Sequence, residues 1–129
     1  MILYLAADLL WASKIKGVAD ALGLPARPVR NLDMLHARLA DSPVSALLLD
    51  LEKPEEALAM LGALANRPAP APKVRTIAFG PHVAKDLLQQ ARDAGADQVL
   101  TRGAFDHNLP DILLSLASKD EPGASSQPS

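Results

Sequence analysis

Cysteine is absent from this sequence, which excludes a disulfide framework, a thiolate nucleophile and a thiolate metal site. Aromatic residues make up only 3% while hydrophobic residues reach 49%, so the core must be built from Leu, Ala, Val and Ile. An aliphatic core of this kind favours helices packed on a sheet over an all-β sandwich. Excess charge is also missing. The 13 Lys and Arg residues stand against 15 Asp and Glu for a formal net charge of −2, leaving no electrostatic footprint for nucleic acid. No apolar run approaches transmembrane length. The opening Met-Ile-Leu-Tyr-Leu-Ala-Ala-Asp lacks the basic region of a signal peptide, and Asp8 interrupts its apolar run. The expectation is a cytoplasmic protein with no nucleic-acid or membrane partner, folded as one domain with a sizeable core.

What is present is an alternation of strand-like and helix-like segments. Ile2 to Ala6 reads as a short strand. Trp11, Ile15, Val18 and Leu22 recur at helical spacing between about Leu9 and Leu22, and Gly23 ends that helix. Trp11 shares this phase, as a core residue or a partial surface anchor. Ala26 to Val29, flanked and interrupted by Pro25 and Pro28, suits an edge strand. Asn31 is an N-cap for a helix from Leu32 to Leu39. The run Val44 to Leu49 and Asp50 reads as a strand buried on both faces of a parallel sheet. Pro54 suits the first turn of a helix carrying Leu58, Met60, Leu61 and Leu64.

Arg67-Pro68-Ala69-Pro70-Ala71-Pro72-Lys73 is a stiff connector. Val74 to Phe79 is a fourth strand and Gly80-Pro81 a turn. His82 to Ala94 is expected as a helix with Val83, Leu87, Leu88 and Ala91 inward and Gly95 as its cap. Gln98 to Thr101 is a fifth strand, and Leu109 to Leu116 the last helix. The domain spans 1–118, and the segment 119–129, rich in Ser, Pro and Gly, is expected to be a disordered tail. Five alternations with helix-length crossovers imply a parallel sheet covered on both faces with right-handed connections.

In such sheets ligands bind outside the carboxyl ends of the strands, which is where Asp50 stands. Leu47-Leu48-Leu49-Asp50-Leu51-Glu52-Lys53-Pro54 resembles the third strand and following loop of response-regulator receiver domains, whose pattern is L-L-D-L-x-x-P. Ala94-Gly95-Ala96-Asp97-Gln98-Val99-Leu100-Thr101-Arg102 resembles their A-G-A-D-D-Y-L-T-K segment. The likeness covers roughly residues 1–118. It implies the CheY-like, flavodoxin-like α/β fold: a doubly wound five-stranded parallel sheet of order 2-1-3-4-5 with helices on both faces.

Receivers in this family use five parts. An acidic pair after the first strand joins a phosphoacceptor aspartate in holding Mg²⁺, a hard cation that takes oxygen ligands. A hydroxyl after the fourth strand and a lysine after the fifth meet the phosphoryl oxygens, and an aromatic residue on the fifth strand reports the switch. Asp50 falls on the acceptor. The acidic pair falls on Ala6 and Ala7, with Asp8 one position late. The hydroxyl falls on Gly80, the lysine on Arg102, the following proline on Gly103 and the aromatic on Val99. Without a metal-binding pair, an acyl phosphate on Asp50 would form beside uncompensated charge, although electrostatic stabilisation dominates phosphoryl transfer.

Asp50 is therefore read as a strand-end carboxylate that caps backbone N–H groups or pairs with a cation. Asp8 is read as the N-cap of the first helix rather than a displaced metal ligand. Arg102 either forms a fixed pair with Asp50 or is a solvated loop residue. His36, His82 and His107 share no ligand spacing. Ser13 and Ser45 lack a His–Asp pattern, and no Gly-rich phosphate loop follows the first strand.

The resemblance implies a degenerate pocket of Asp50, Asp8, Gly80 and Arg102 in a pseudo-receiver: a stand-alone module of two-component signal transduction that binds a protein partner, is not an enzyme and needs no cofactor or metal. Its output surface would be residues 82–116, where Lys85, Gln89 and Arg92 form an exposed, cationic stripe beside Val99. Homodimerisation through that face is also implied. Two rival readings are a phosphorelay response regulator phosphorylated on Asp50 by an atypical route, and a small flavodoxin-like domain that binds a ligand at the sheet edge.

Overall fold

A computed structural model describes residues 1–68 and 71–118; the expected tail and part of the proline-rich connector lie outside the described residues. The elements alternate as β1 (Ile2–Leu5), α1 (Leu9–Ala21), β2 (Ala26–Pro28), α2 (Leu32–Asp41), β3 (Ala46–Asp50), α3 (Pro54–Ala65), β4 (Arg75–Gly80), α4 (Lys85–Asp93), β5 (Gln98–Thr101), α5 (Arg102–His107) and α6 (Leu109–Ser118). All neighbouring strand pairs are parallel and the order is β2-β1-β3-β4-β5. This is the flavodoxin-like topology, in which the central strands must be apolar on both sides. Accordingly, every residue of β1 and β3 is buried.

The two faces carry separate cores. Leu3, Leu5, Leu47 and Leu49 point toward Leu35 of α2, Met60 and Leu61 of α3, and Leu88 of α4. Ile2, Tyr4, Ala46 and Leu48 point toward Trp11 and Ile15 of α1, Phe105 of α5, and Leu113 and Leu116 of α6. Period-2 alternation along each strand sends successive side chains to opposite faces. Each fully buried leucine contributes roughly 1.5–3 kcal/mol of transfer free energy, so the aliphatic composition suffices for both layers.

Local chemistry fixes the ends of the helices. Asp8 accepts from the Trp11 N–H (2.9 Å) and Asn31 from the Met34 N–H (2.8 Å), each satisfying an N–H the helix leaves unpaired. Gly23 and Gly95 follow α1 and α4 with φ of 72° and 103°, a left-handed backbone that glycine adopts without a Cβ penalty.

The structure corrects the expectations at three places. The helix expected from His82 starts at Lys85, because His82 and Val83 form a turn closed by the Ala84 N–H on the Pro81 carbonyl (3.0 Å). Val83, expected to face inward, is 73% exposed. Gly80 belongs to β4 rather than to a turn. A helix absent from the sequence-based expectation, α5, follows β5 directly: Thr101 accepts from the Ala104 N–H (3.2 Å) and Phe105 is buried. Asn108 separates it from α6 and donates its side-chain amide to the Ala104 carbonyl (2.9 Å).

Candidate functional site

The loops after β1, β3, β4 and β5 meet at the carboxyl edge of the sheet, and Asp50 stands at their centre. Its register partner is Phe79 on β4. Strand alternation turns it to the face where Leu48 and Ile77 meet Trp11 and Phe105. There Phe79 and Phe105 stack with ring centroids 4.0 Å apart and planes 3° apart, and Trp11 tilts against Phe79 at 5.2 Å. This aromatic cluster lies on the face to which Asp50 turns.

Asp50 is 0% exposed. Its Oδ2 accepts from the Ala7 N–H (2.9 Å) and its Oδ1 from the Glu52 N–H (3.0 Å). One side chain thus ties the β1–α1 loop to the β3–α3 loop. Burial pushes the Asp50 carboxyl above its usual range; the two backbone N–H groups and the positive charge of Arg102 oppose that rise, and the Glu52 carboxylate adds to it. The strand-end carboxylate capping backbone N–H groups is therefore the arrangement found.

The fixed pair between Arg102 and Asp50 is not formed. The Arg102 guanidinium turns to Glu52 and donates through Nη2 to its Oε2, because the oxygens of Asp50 face the backbone donors of Ala7 and Glu52. Asp8 holds the Trp11 N–H as a cap. Gly80 stands against Leu51: a Cβ built there would lie 3.2 Å from the Leu51 Cβ and 3.4 Å from its Cδ1. Leu51 is itself fully buried, so it fills the space a larger residue at 80 would need. The four predicted pocket residues gather at one edge, but in separate contacts.

Magnesium is the ion this fold's resemblance implies, and the donor set does not fit it. Both Asp50 oxygens hold backbone N–H groups, Ala6 and Ala7 offer methyl groups, and Asp8 is turned to its own helix. Among the described residues no group of three His, Asp or Glu side chains is placed to hold a metal. Mg²⁺ requires near-octahedral oxygen coordination.

On the predicted output face, Lys85, Gln89 and Arg92 are exposed and Val99 is half-buried against the core. Gln89 donates to Asp93 (2.9 Å) and accepts from Arg92 (3.4 Å). The basic side chains of α4 alternate with Asp86 and Asp93, so the stripe is mixed in charge rather than cationic. His36, His82 and His107 are exposed on separate elements.

Two carboxylates outside the sequence-based site make structural contacts, one at this edge and one at the other. Glu52 links Asp50 to Arg102, and its only sequence signal is a carboxylate two residues past the strand. Asp97, at the opposite edge, accepts from the Thr76 N–H (2.8 Å) and from Lys73 (3.0 Å), while its own N–H donates to the Thr76 hydroxyl (3.0 Å). These bonds outweigh its burial and hold its carboxyl below the usual range. Two clefts lie at that opposite edge: one of about 460 Å³ includes Leu39, Val44 and Ser45, and one of about 280 Å³ includes Leu61, Val74 and Gly95.

Neither a protein-family model nor a curated protein sequence matches the chain. Solved structures do. The signal receiver domain of a response regulator from Bermanella marisrubri superposes with a TM-score of 0.73 at 24% identity, covering 90% of this chain and 96% of that one. A response regulator from Thermotoga maritima gives 0.68 at 17% identity, covering 91% and 96%. A CheY-like protein (TadZ) from Pseudomonas aeruginosa gives 0.66 at 20% identity, covering 89% and 97%. The fold is that of response-regulator receiver domains.

Proposed function

We propose that this chain is a pseudo-receiver, a signalling module that acts by binding a protein partner and does not undergo ordinary Mg²⁺-dependent phosphorylation. The observation that carries this reading is the engagement of Asp50: fully buried, with one backbone N–H on each carboxylate oxygen. A phosphoacceptor oxygen must reach an incoming phosphorus atom with its charge compensated by metal or cationic groups. Here the nearest cation is committed to Glu52, and the residues at the acidic-pair positions are alanines. The partner surface in this reading is the α4–β5–α6 side carrying Lys85, Gln89, Arg92 and Val99, and a second copy of the chain is a candidate occupant of that side. An expectation of the receiver resemblance, it locates function on the surface rather than in the pocket.

The test uses Trp11, buried against Phe79 and Phe105 and hence responsive to movement at the edge. Titration with Mg²⁺ and beryllofluoride, followed by Trp11 fluorescence and by amide shifts around Asp50, is expected to give no response at millimolar metal. A saturable change in both signals would establish a working phosphoacceptor instead.

A further inference from the structure

Three loops of the carboxyl edge are joined in series. Asp50 holds the Ala7 N–H of the β1–α1 loop and the Glu52 N–H of the β3–α3 loop, at 2.9 and 3.0 Å. Glu52 then reaches with its side chain to Arg102, the first residue of α5 after β5. Glu52 is the joint: its main chain serves Asp50 and its carboxylate serves Arg102. The two partners are 36% and 47% exposed, so solvent reaches the pair while Asp50 beneath it is sealed.

We propose that Glu52 is a built-in counter-anion for Arg102, an ionic latch that holds the three loops in one arrangement without any modification of Asp50. This rests on the pseudo-receiver reading. A transient phosphoryl group would supply negative charge to the residue at 102 only while it lasted. Glu52 supplies a carboxylate permanently, from a position fixed by its own N–H bond to Asp50. The guanidinium engages Glu52 through Nη2, whereas its buried Nε has no partner. The pair is held by charge rather than by a two-pronged fork, and it is therefore open to screening by salt.

Amide hydrogen exchange on the full chain tests the latch, comparing the protein with Glu52→Gln, Arg102→Gln and the double variant. Each single substitution is expected to raise exchange of the segments 6–8, 51–53 and 101–104 by roughly two- to fivefold. The double variant is expected to exchange no faster than the faster single one, since both remove the same contact. Raising NaCl to about 0.5 M is expected to loosen the same segments in the unsubstituted protein but not in the double variant. Unchanged loop exchange in the single variants, effects that multiply in the double variant, or no response of the unsubstituted protein to salt would each overturn the proposal. The beryllofluoride titration keeps the two readings apart. A response with coupled loops removes the pseudo-receiver and keeps the latch, whereas uncoupled loops without a response remove the latch alone.

Discussion

Asp50 joins two opposed facts, a fully buried carboxylate and a position that receivers use for chemistry. Its two hydrogen bonds offset part of the desolvation, and they make the residue a brace between two loops. Asp50→Ala removes both acceptors and strands the N–H groups of Ala7 and Glu52. A donor left unpaired in such a part-buried bond costs up to about 1–3 kcal/mol, whereas a surface substitution away from such contacts changes stability by only about ±0.5 kcal/mol. Urea unfolding of Asp50→Ala is therefore expected to show a loss of roughly 2 kcal/mol, accompanied by faster amide exchange at residues 7 and 52. A variant as stable as the original would mean that the carboxylate is not a brace. Arg102 shows how one neighbour changes a role: Asp50 and Glu52 both influence it electrostatically or directly, but only Glu52 presents an oxygen free of backbone donors.

The element that most alters the edge is α5. Its single buried residue, Phe105, stacks on Phe79 and lies 5.7 Å from Trp11. A large-to-small change there removes transfer free energy and opens a cavity, at about 3–5 kcal/mol for Phe→Ala. Phe105→Ala is expected to fall in that range by urea unfolding and to shift Trp11 emission to longer wavelength as water enters. Unshifted emission would show that Trp11 is shielded independently of α5. The five strands were legible because short apolar runs alternate with helical periodicity, whereas their order was implied by the receiver resemblance of the segments around Asp50 and Asp97. Gln98–Thr101 and the Asp8 cap were readable from local pattern alone. Helix α5 was not, because Gly103 interrupts it and one buried side chain in six residues sets no periodicity; tertiary packing of Phe105 supplies its stability. Val83 misled for the converse reason, as an apolar residue in phase with Leu87 that the Pro81 turn places in solvent. The Glu52–Arg102 pair joins positions 50 residues apart, and no local pattern marks it.

Across the whole molecule, two aspartates at opposite edges of the sheet give stability opposite responses to acid. The Asp50 carboxyl is held above its ordinary value of 3.8, chiefly by burial, so the native state takes up its proton before the unfolded chain does. Its ionisation weakens the fold at neutral pH. That weakening is relieved as pH falls through the raised value and is gone below 3.8. Asp97 is held below 3.8 by Thr76 and Lys73, so its support is complete above 3.8 and is lost as pH falls through the lowered value. Unfolding free energies of the protein, Asp50→Asn and Asp97→Asn, measured from about pH 7 to about pH 3, separate the two contributions. The protein minus Asp50→Asn is expected to become more favourable to the unsubstituted chain on acidification, with the change complete by 3.8. The protein minus Asp97→Asn is expected to hold steady down to that point and then decline. A flat first difference would mean that the backbone N–H groups and Arg102 fully offset the burial of Asp50 at the sealed carboxyl edge. A flat second difference would leave that edge untouched and remove only the Thr76–Asp97 tie between β4 and β5.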